Sequence, residues 1–244
     1  MRRSIIRSIV GLLCAASVGA AGYVWLKDHP EHDPWAPLML GDPPGWASGV
    51  KVQALRGDRA ECRAFLDRSL IAAEALPPAG EGQCLRDDRQ VLTSAAQADV
   101  ALAPRGAQAT CAVDAGLALW LRHGVQPAAQ RLLGSQVARI EHFGTNNCRR
   151  IGGGSAGSWS EHATGNAIDI AAFVLEDGRR IGVLKDWGDG GDADEGKRAA
   201  FLRAARDAAC ESFATVLSPE YNAAHADHLH LDQAQRAGGW ATCR

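Results

Sequence analysis

The chain has 244 residues, 46% of them hydrophobic and 22% charged. That is ordinary globular composition, which excludes the disordered and fibrous classes. The formal net charge of −2 carries no global basic field, so no nucleic-acid partner is expected.

The first predicted element is a targeting segment. Arg2, Arg3 and Arg7 give a basic start, and residues 5–26 are almost wholly apolar or small. A spanning helix needs roughly 20 such residues and a signal-peptide core about 7–15, so this stretch is long enough to span. Positive charge before it keeps the N-terminus inside and sends the rest of the chain across. Residues 1–27 are therefore expected to form a single-pass anchor, with Tyr23, Trp25 and Lys27 at the membrane boundary. Cleavage near Val18, Gly19 and Ala20 is the alternative, and it would release the chain. Residues 28–50 are rich in Pro, Asp, His and Gly and predict a linker that lifts the following domain, 51–244, off the membrane.

Within that domain, Asp58 is placed to cap a helix over 59–75, which Pro77, Pro78 and the following glycines stop. Short strands are expected near 90–92 and 100–103. A helix over 113–122 is interrupted by Gly124, and Pro127 opens a second over 128–133. Residues 137–143 and 167–174 read as strands, with Asp177 and Gly178 in a hairpin turn after the second. The acidic, glycine-rich loop 188–196 lacks the spacing of a calcium loop. Apolar residues at helical spacing predict a helix over 195–216, and 228–232 alternates as a strand does. The mixture is α+β, with the strands late in the chain. Six cysteines lie outside the N-terminal segment: Cys62, Cys84, Cys111, Cys148, Cys210 and Cys243. Dispersed and even in number, they predict three disulfides in an oxidising compartment. Closeness in the chain favours Cys62–Cys84.

Two segments carry chemistry. One runs from Ser160 through His162 and Gly165 to Asp169. The other is His225-Ala226-Asp227-His228-Leu229-His230-Leu231-Asp232. Together they hold four of the eight histidines. On a strand, His228, His230 and Asp232 share one face while Leu229 and Leu231 take the other. A histidine, a carboxylate and a second histidine make a three-ligand zinc set whose fourth position stays open, the pattern of catalytic rather than structural zinc. Asp227 or His228 can serve as the base that takes a proton from water. Arg149 or Arg150, just upstream of the glycine-rich loop, can bind a peptide carboxylate or a developing oxyanion. Ser160 can cap or brace the loop.

The first segment is similar to the S-x-H-x-x-G-x-A-x-D signature of zinc peptidases typified by D-alanyl-D-alanine carboxypeptidases, murein endopeptidases and phage endolysins, through Ser160, His162, Gly165, Ala167 and Asp169. The stretch Asp227-His228-Leu229-His230 looks like that group's D-x-x-H or H-x-H element. More closely, the chain from about Cys62 to the end resembles the bacterial extensin-like C-terminal domain family. That likeness is carried by Glu141-His142-Phe143-Gly144, Cys148-Arg149, residues 160–169, Asp186-Trp187 and residues 221–232. The resemblance implies a central antiparallel sheet with flanking helices, like the zinc D-Ala-D-Ala peptidases. It implies His162, Asp169 and His230 as zinc ligands, either Asp227 or His228 as base, and a further active-site role for His225.

The expected function is zinc-dependent hydrolysis of peptidoglycan peptides, by a carboxypeptidase or an endopeptidase, on the periplasmic side of the bacterial inner membrane. The expected partners are the peptidoglycan peptide and the membrane, and the expected oligomeric state is monomer. A zinc-containing module that binds the cell wall without catalysis is the alternative, as is a structural envelope protein braced by disulfides.

Overall fold

A computed structural model describes residues 2–94, 100–188, 191–236 and 240–244. The expected acidic loop falls partly outside them, at residues 189 and 190. Helix α1 spans Arg2–Asp28, and Ile6–Asp28 within it is long and apolar enough to cross a membrane with none of its surface buried. Such a helix is consistent with a membrane anchor and with a signal sequence. Helices α2 (Ser48–Leu55) and α3 (Arg59–Arg68) follow, then strands β1 (Ala72–Ala75), β2 (Arg89–Ser94), β3 (Ala101–Ala103) and β4 (Gln108–Thr110). Helix α4 (Cys111–Trp120) runs through a π turn, Leu121–Val125, into α5 (Gln126–Leu133). Strands β5 (Val137–Gly144), β6 (Ala167–Leu175) and β7 (Arg180–Gly182) lead to helices α6 (Val183–Asp186) and α7 (Ala193–Ala209). Strands β8 (Thr215–Leu217), β9 (Leu229–Asp232) and β10 (Thr242–Cys243) close the chain.

The main sheet has the order β10-β8-β9-β6-β5-β3, and β7 also pairs with β6. Its centre, β8-β9-β6-β5, is antiparallel as expected, but both edges, β10 on β8 and β3 on β5, are parallel. A second sheet, β1-β2-β4, lies early in the chain; it contains the strand expected near 90–92, while β1 falls where a helix was expected and β4 was not expected.

One face of the main sheet packs against helices. Ile168, Ile170, Phe173, Leu229 and Leu231 meet Leu117, Trp120, Phe201 and Leu202 in one continuous core. Each such side chain contributes roughly 1.5–3 kcal/mol on leaving water. Trp120 meets Phe173 and Phe213 edge-on and donates its indole N–H to the Ala205 carbonyl at 2.7 Å, so its polar atom is satisfied. Helix α4 serves a second core as well. Cys111, Ala115 and Leu119, at i, i+4 and i+8, face Phe65, Leu66, Val52 and Leu55.

Several sequence expectations are corrected by packing. Gly124 does not interrupt a helix; it lies inside the π turn, where a Cβ would strike the Ala208 side chain of α7, so its role is close helix approach. Helix α3 stops at Arg68 because Leu70 adopts a φ of 55°, turning the chain into β1. Helix α7 ends at Ala209, and Val216, whose spacing looked helical, belongs to β8; the turn between them sends Phe213 under Trp120. The cysteines pair as Cys62–Cys111, Cys84–Cys148 and Cys210–Cys243, with Cα–Cα distances of 6.1, 5.7 and 5.9 Å. All six expected cysteines are bridged, but Cys62 does not reach Cys84: α3 packs on α4 and brings Cys111 to it instead. The segment read as a linker, 28–50, sends Leu38 and Leu40 into the second core.

Candidate metal centre

The register of the sheet builds two-thirds of the site. Antiparallel pairing of β6 with β9 sets Asp169 opposite His230. Because Ile168, Ile170, Leu229 and Leu231 are committed to the helical core, Asp169 and His230 project from the other face. His162 comes from elsewhere. It lies in a single 3-10 turn, Glu161–Thr164, between β5 and β6. Ser160 caps that turn through its Oγ, which accepts from the His162 N–H at 3.3 Å. Gly165 ends it with a φ of 74°, a left-handed conformation in which a side chain would also press on the Gln108 carbonyl.

The three side chains converge. His162 Nε2 is 3.0 Å from Asp169 Oδ1 and 3.1 Å from His230 Nδ1, and His230 Nδ1 is 3.0 Å from Asp169 Oδ1. Both imidazoles are buried. Their far nitrogens are engaged by acceptors: His162 Nδ1 faces the Thr145 carbonyl at 3.2 Å, and His230 Nε2 faces Asp232 Oδ2 at 3.0 Å. Each acceptor draws the proton of a neutral ring to the far nitrogen. With both rings neutral and so oriented, two imidazole lone pairs and a carboxylate oxygen meet, a set that a cation can satisfy. A proton can take the cation's place: burial alone would lower His230, but its bonds to Asp169 and Asp232 raise it to about 9. Burial would raise Asp169, but hydrogen bonds to His162 and His230 hold its carboxyl well below the usual range.

The donor set fits zinc. Ligands at about 2.0–2.2 Å and tetrahedral angles lie roughly 3.3–3.6 Å apart, a few tenths more than the separations here. Two nitrogens, one oxygen and a carboxylate or carbonyl behind each ring match the usual zinc surroundings. Among the described residues this is the one cluster of three or more such side chains able to hold a metal ion.

Further histidines line the centre. His228 Nε2 is 3.5 Å from Asp169 Oδ1, while its Nδ1 is 2.8 Å from Asp227 Oδ1. His225 Nδ1 is 2.7 Å from Asn222 Oδ1, and its ring lies 5.1 Å from that of His228. Burial, then the neighbouring His228 and His230 charges, push His225 down to about 4, with Arg149 contributing. Arg149 is thus exposed beside the cluster. Arg150 is not: it stacks on Trp159 at 4.5 Å and donates to the Gly157 carbonyl. Two contributors went unassigned in the sequence, Asp232 and the Thr145 carbonyl. Asp232 was legible as a carboxylate two residues after His230 on the same strand face; nothing in the sequence marks Thr145.

Residues 60–244 match the family described as Extensin-like protein C-terminus. No curated protein and no solved structure matched the chain.

Proposed function

The chain belongs to the extensin-like protein C-terminus family, and from that premise we propose that it is an exported zinc peptidase acting on peptidoglycan peptides. The observation that carries this reading is the meeting of His162 Nε2, His230 Nδ1 and Asp169 Oδ1 within 3.1 Å of one another. We read the antiparallel sheet centre and its flanking helices as the zinc D-Ala-D-Ala-peptidase type of fold. The apolar α1 and the three disulfides support export, to the periplasmic side of the inner membrane.

His162, Asp169 and His230 would hold the ion. The chemistry zinc supplies when bound is a water pKa lowered from 15.7 to about 7 and a polarised carbonyl. His228 is the base that this geometry favours over Asp227. Its Nε2 points to the centre and receives the proton, while Asp227 holds the ring from Nδ1. The same nitrogen then returns the proton to the departing amine. Arg149, exposed and near enough to lower His225, would take the carboxylate of a peptide end or the charge that develops on the scissile oxygen. Arg150, held on Trp159, takes no part.

Hydrolysis of purified muropeptides by the chain tests the proposal. Cleavage should vanish with chelator, return with zinc, and be absent from Asp169→Ala. Intact muropeptides in the presence of bound zinc would sink the peptidase reading and leave a wall-binding module.

A further inference from the structure

The segment between α1 and the body is fixed at many points. Leu38 and Leu40 are buried in the second core. The Leu38 carbonyl accepts from Arg68 at 3.3 Å, and the Leu40 carbonyl from His123 Nε2 at 2.9 Å. Lys51 donates to the Pro30 carbonyl at 2.5 Å, and the Ala47 N–H to the Glu31 carbonyl at 3.3 Å. Gly45 crosses Glu31 so closely that a Cβ there would overlap the Glu31 backbone. Residues 28–50 therefore form a strap on the body and not a spacer.

The strap also grips the end of α1. The Trp25 ring stacks on His29 at 4.4 Å and on His32 at 5.2 Å, and His32 stacks on Trp46 at 5.7 Å. The Trp46 N–H donates to His32 Nδ1 at 3.3 Å. This ladder of rings runs from the last turns of the apolar helix to the foot of the body. Yet the outer face of the strap stays bare: Trp46, at the end of the ladder, is 65% exposed, and Trp35, on the same strap, is 86% exposed. Tryptophan combines apolar area with one polar N–H, and the layer that suits both is the boundary between lipid headgroups and acyl chains.

We propose that Trp35 and Trp46 dock the body directly on the bilayer surface, in the same interfacial layer as Trp25. The occupant of this patch is lipid, because Trp46 stacks through His32 onto Trp25 in a helix of spanning length, and Trp35 lies on the same strap. The inference rests on α1 being retained as the anchor, and it is independent of any metal. It places the domain at a fixed height over the membrane, without the reach of a tethered enzyme.

The full chain in phosphatidylcholine–phosphatidylglycerol vesicles, with bromine on the acyl carbons nearest the headgroup, tests this by quenching of tryptophan fluorescence. The chain should float with the vesicles. W46F and W35F, conservative changes at exposed rings, should each remove roughly a third of the quenched signal, one of three interfacial tryptophans. W240F, at an exposed ring outside the strap and under the Arg236 guanidinium, should remove none. A chain that does not float overturns both the anchor and the docking. A chain that floats but keeps its full quenched signal in W35F and W46F overturns the docking alone, including the case in which another protein covers those rings.

Discussion

Asp169 and His230 reach the candidate metal centre from strands, whereas His162 reaches it from one turn of loop. The two strand residues face each other by register, and the pairing that sets them is the same that buries Ile168, Ile170, Leu229 and Leu231. Moving either ligand means moving the core. His162 has no such partner. Its position depends on local bonds: the Asn147 N–H and the Asn146 amide both donate to its carbonyl, at 3.0 and 3.1 Å, and its ring is held by Thr145. The next residue, Cys148, is tied to Cys84. What β pairing supplies to two ligands, a short hydrogen-bonded segment and a covalent tie supply to the third.

The largest effect should come from the strand side. Asp169→Ala removes the only charged ligand and leaves two buried imidazoles facing each other. Zinc affinity, read by competition with a chromophoric chelator, should fall by more than the 10–100-fold typical of losing an outer partner of a ligand. Unchanged affinity would mean that the strand pair does not define the site.

The loop side breaks differently. Cys84→Ser with Cys148→Ser opens a cross-link spanning 64 residues, worth about 4 kcal/mol by chain entropy. The Tm should drop, and zinc affinity should drop with it because His162 loses its covalent support. Cys210→Ser with Cys243→Ser, which ties α7 to β10 away from the ligand loop, should lower the Tm but leave zinc affinity alone. Equal losses of affinity in both double variants would erase the distinction between loop and strand.

Stability and metal binding should also separate at Asp114. This buried carboxyl accepts from Gln90 Nε2 at 2.7 Å, and burial pushes it up to about 7, against 3.8 for the free group. A raised acid favours the folded state while it carries its proton. Its contribution is therefore complete below about pH 4 and is lost as pH rises through about 7, by up to about 4 kcal/mol. Asp114→Asn should flatten the denaturation midpoint between pH 5 and 8 and leave zinc affinity unchanged. A wild-type midpoint that does not fall over that range would refute the assignment.

Much of this was legible in the sequence, and the division follows the same line as the comparison. Alternation along 228–232 and the apolar run 167–174 announce strands, so the faces of Asp169 and His230 could be read directly. The signature around His162 named the third candidate ligand but not its support. The Thr145 carbonyl and the Cys84–Cys148 pairing depend on how segments far apart in the chain are stacked, which local patterns do not encode. The Cys62–Cys84 expectation failed for that reason: closeness along the chain says nothing about α3 lying on α4. Val216 misled for a related one, since three residues of strand after a helix keep an apolar spacing that mimics another turn.

Asp232→Asn probes the strand ligand more gently. It keeps the shape but weakens the acceptor that holds His230 Nε2 at 3.0 Å. Zinc affinity should fall about 10–100-fold, with the Tm of the metal-free chain little changed. No change in affinity would show that register alone orients His230.

The smallest expected effect on zinc binding lies one step outside the ligands. Asp227 and His228 precede β9 and belong neither to the sheet pairing nor to the His162 loop. Asp227 is half-exposed, and its Oδ1 lies 2.8 Å from His228 Nδ1. A carboxylate there fixes the tautomer that leaves Nε2 as the free base, facing Asp169 Oδ1 at 3.5 Å. Asp227→Asn can still contact the ring but favours that tautomer less, and His228→Ala removes the base altogether. If His228 takes the proton, Asp227→Asn should lower kcat by about tenfold, His228→Ala by about 10²–10⁴-fold, and both should bind zinc as the wild type does. If Asp227 were itself the base, the order would reverse, because its replacement would cost more than removing the ring it holds. The ratio of the two rates, measured on one substrate with zinc saturating, therefore decides which residue receives the proton.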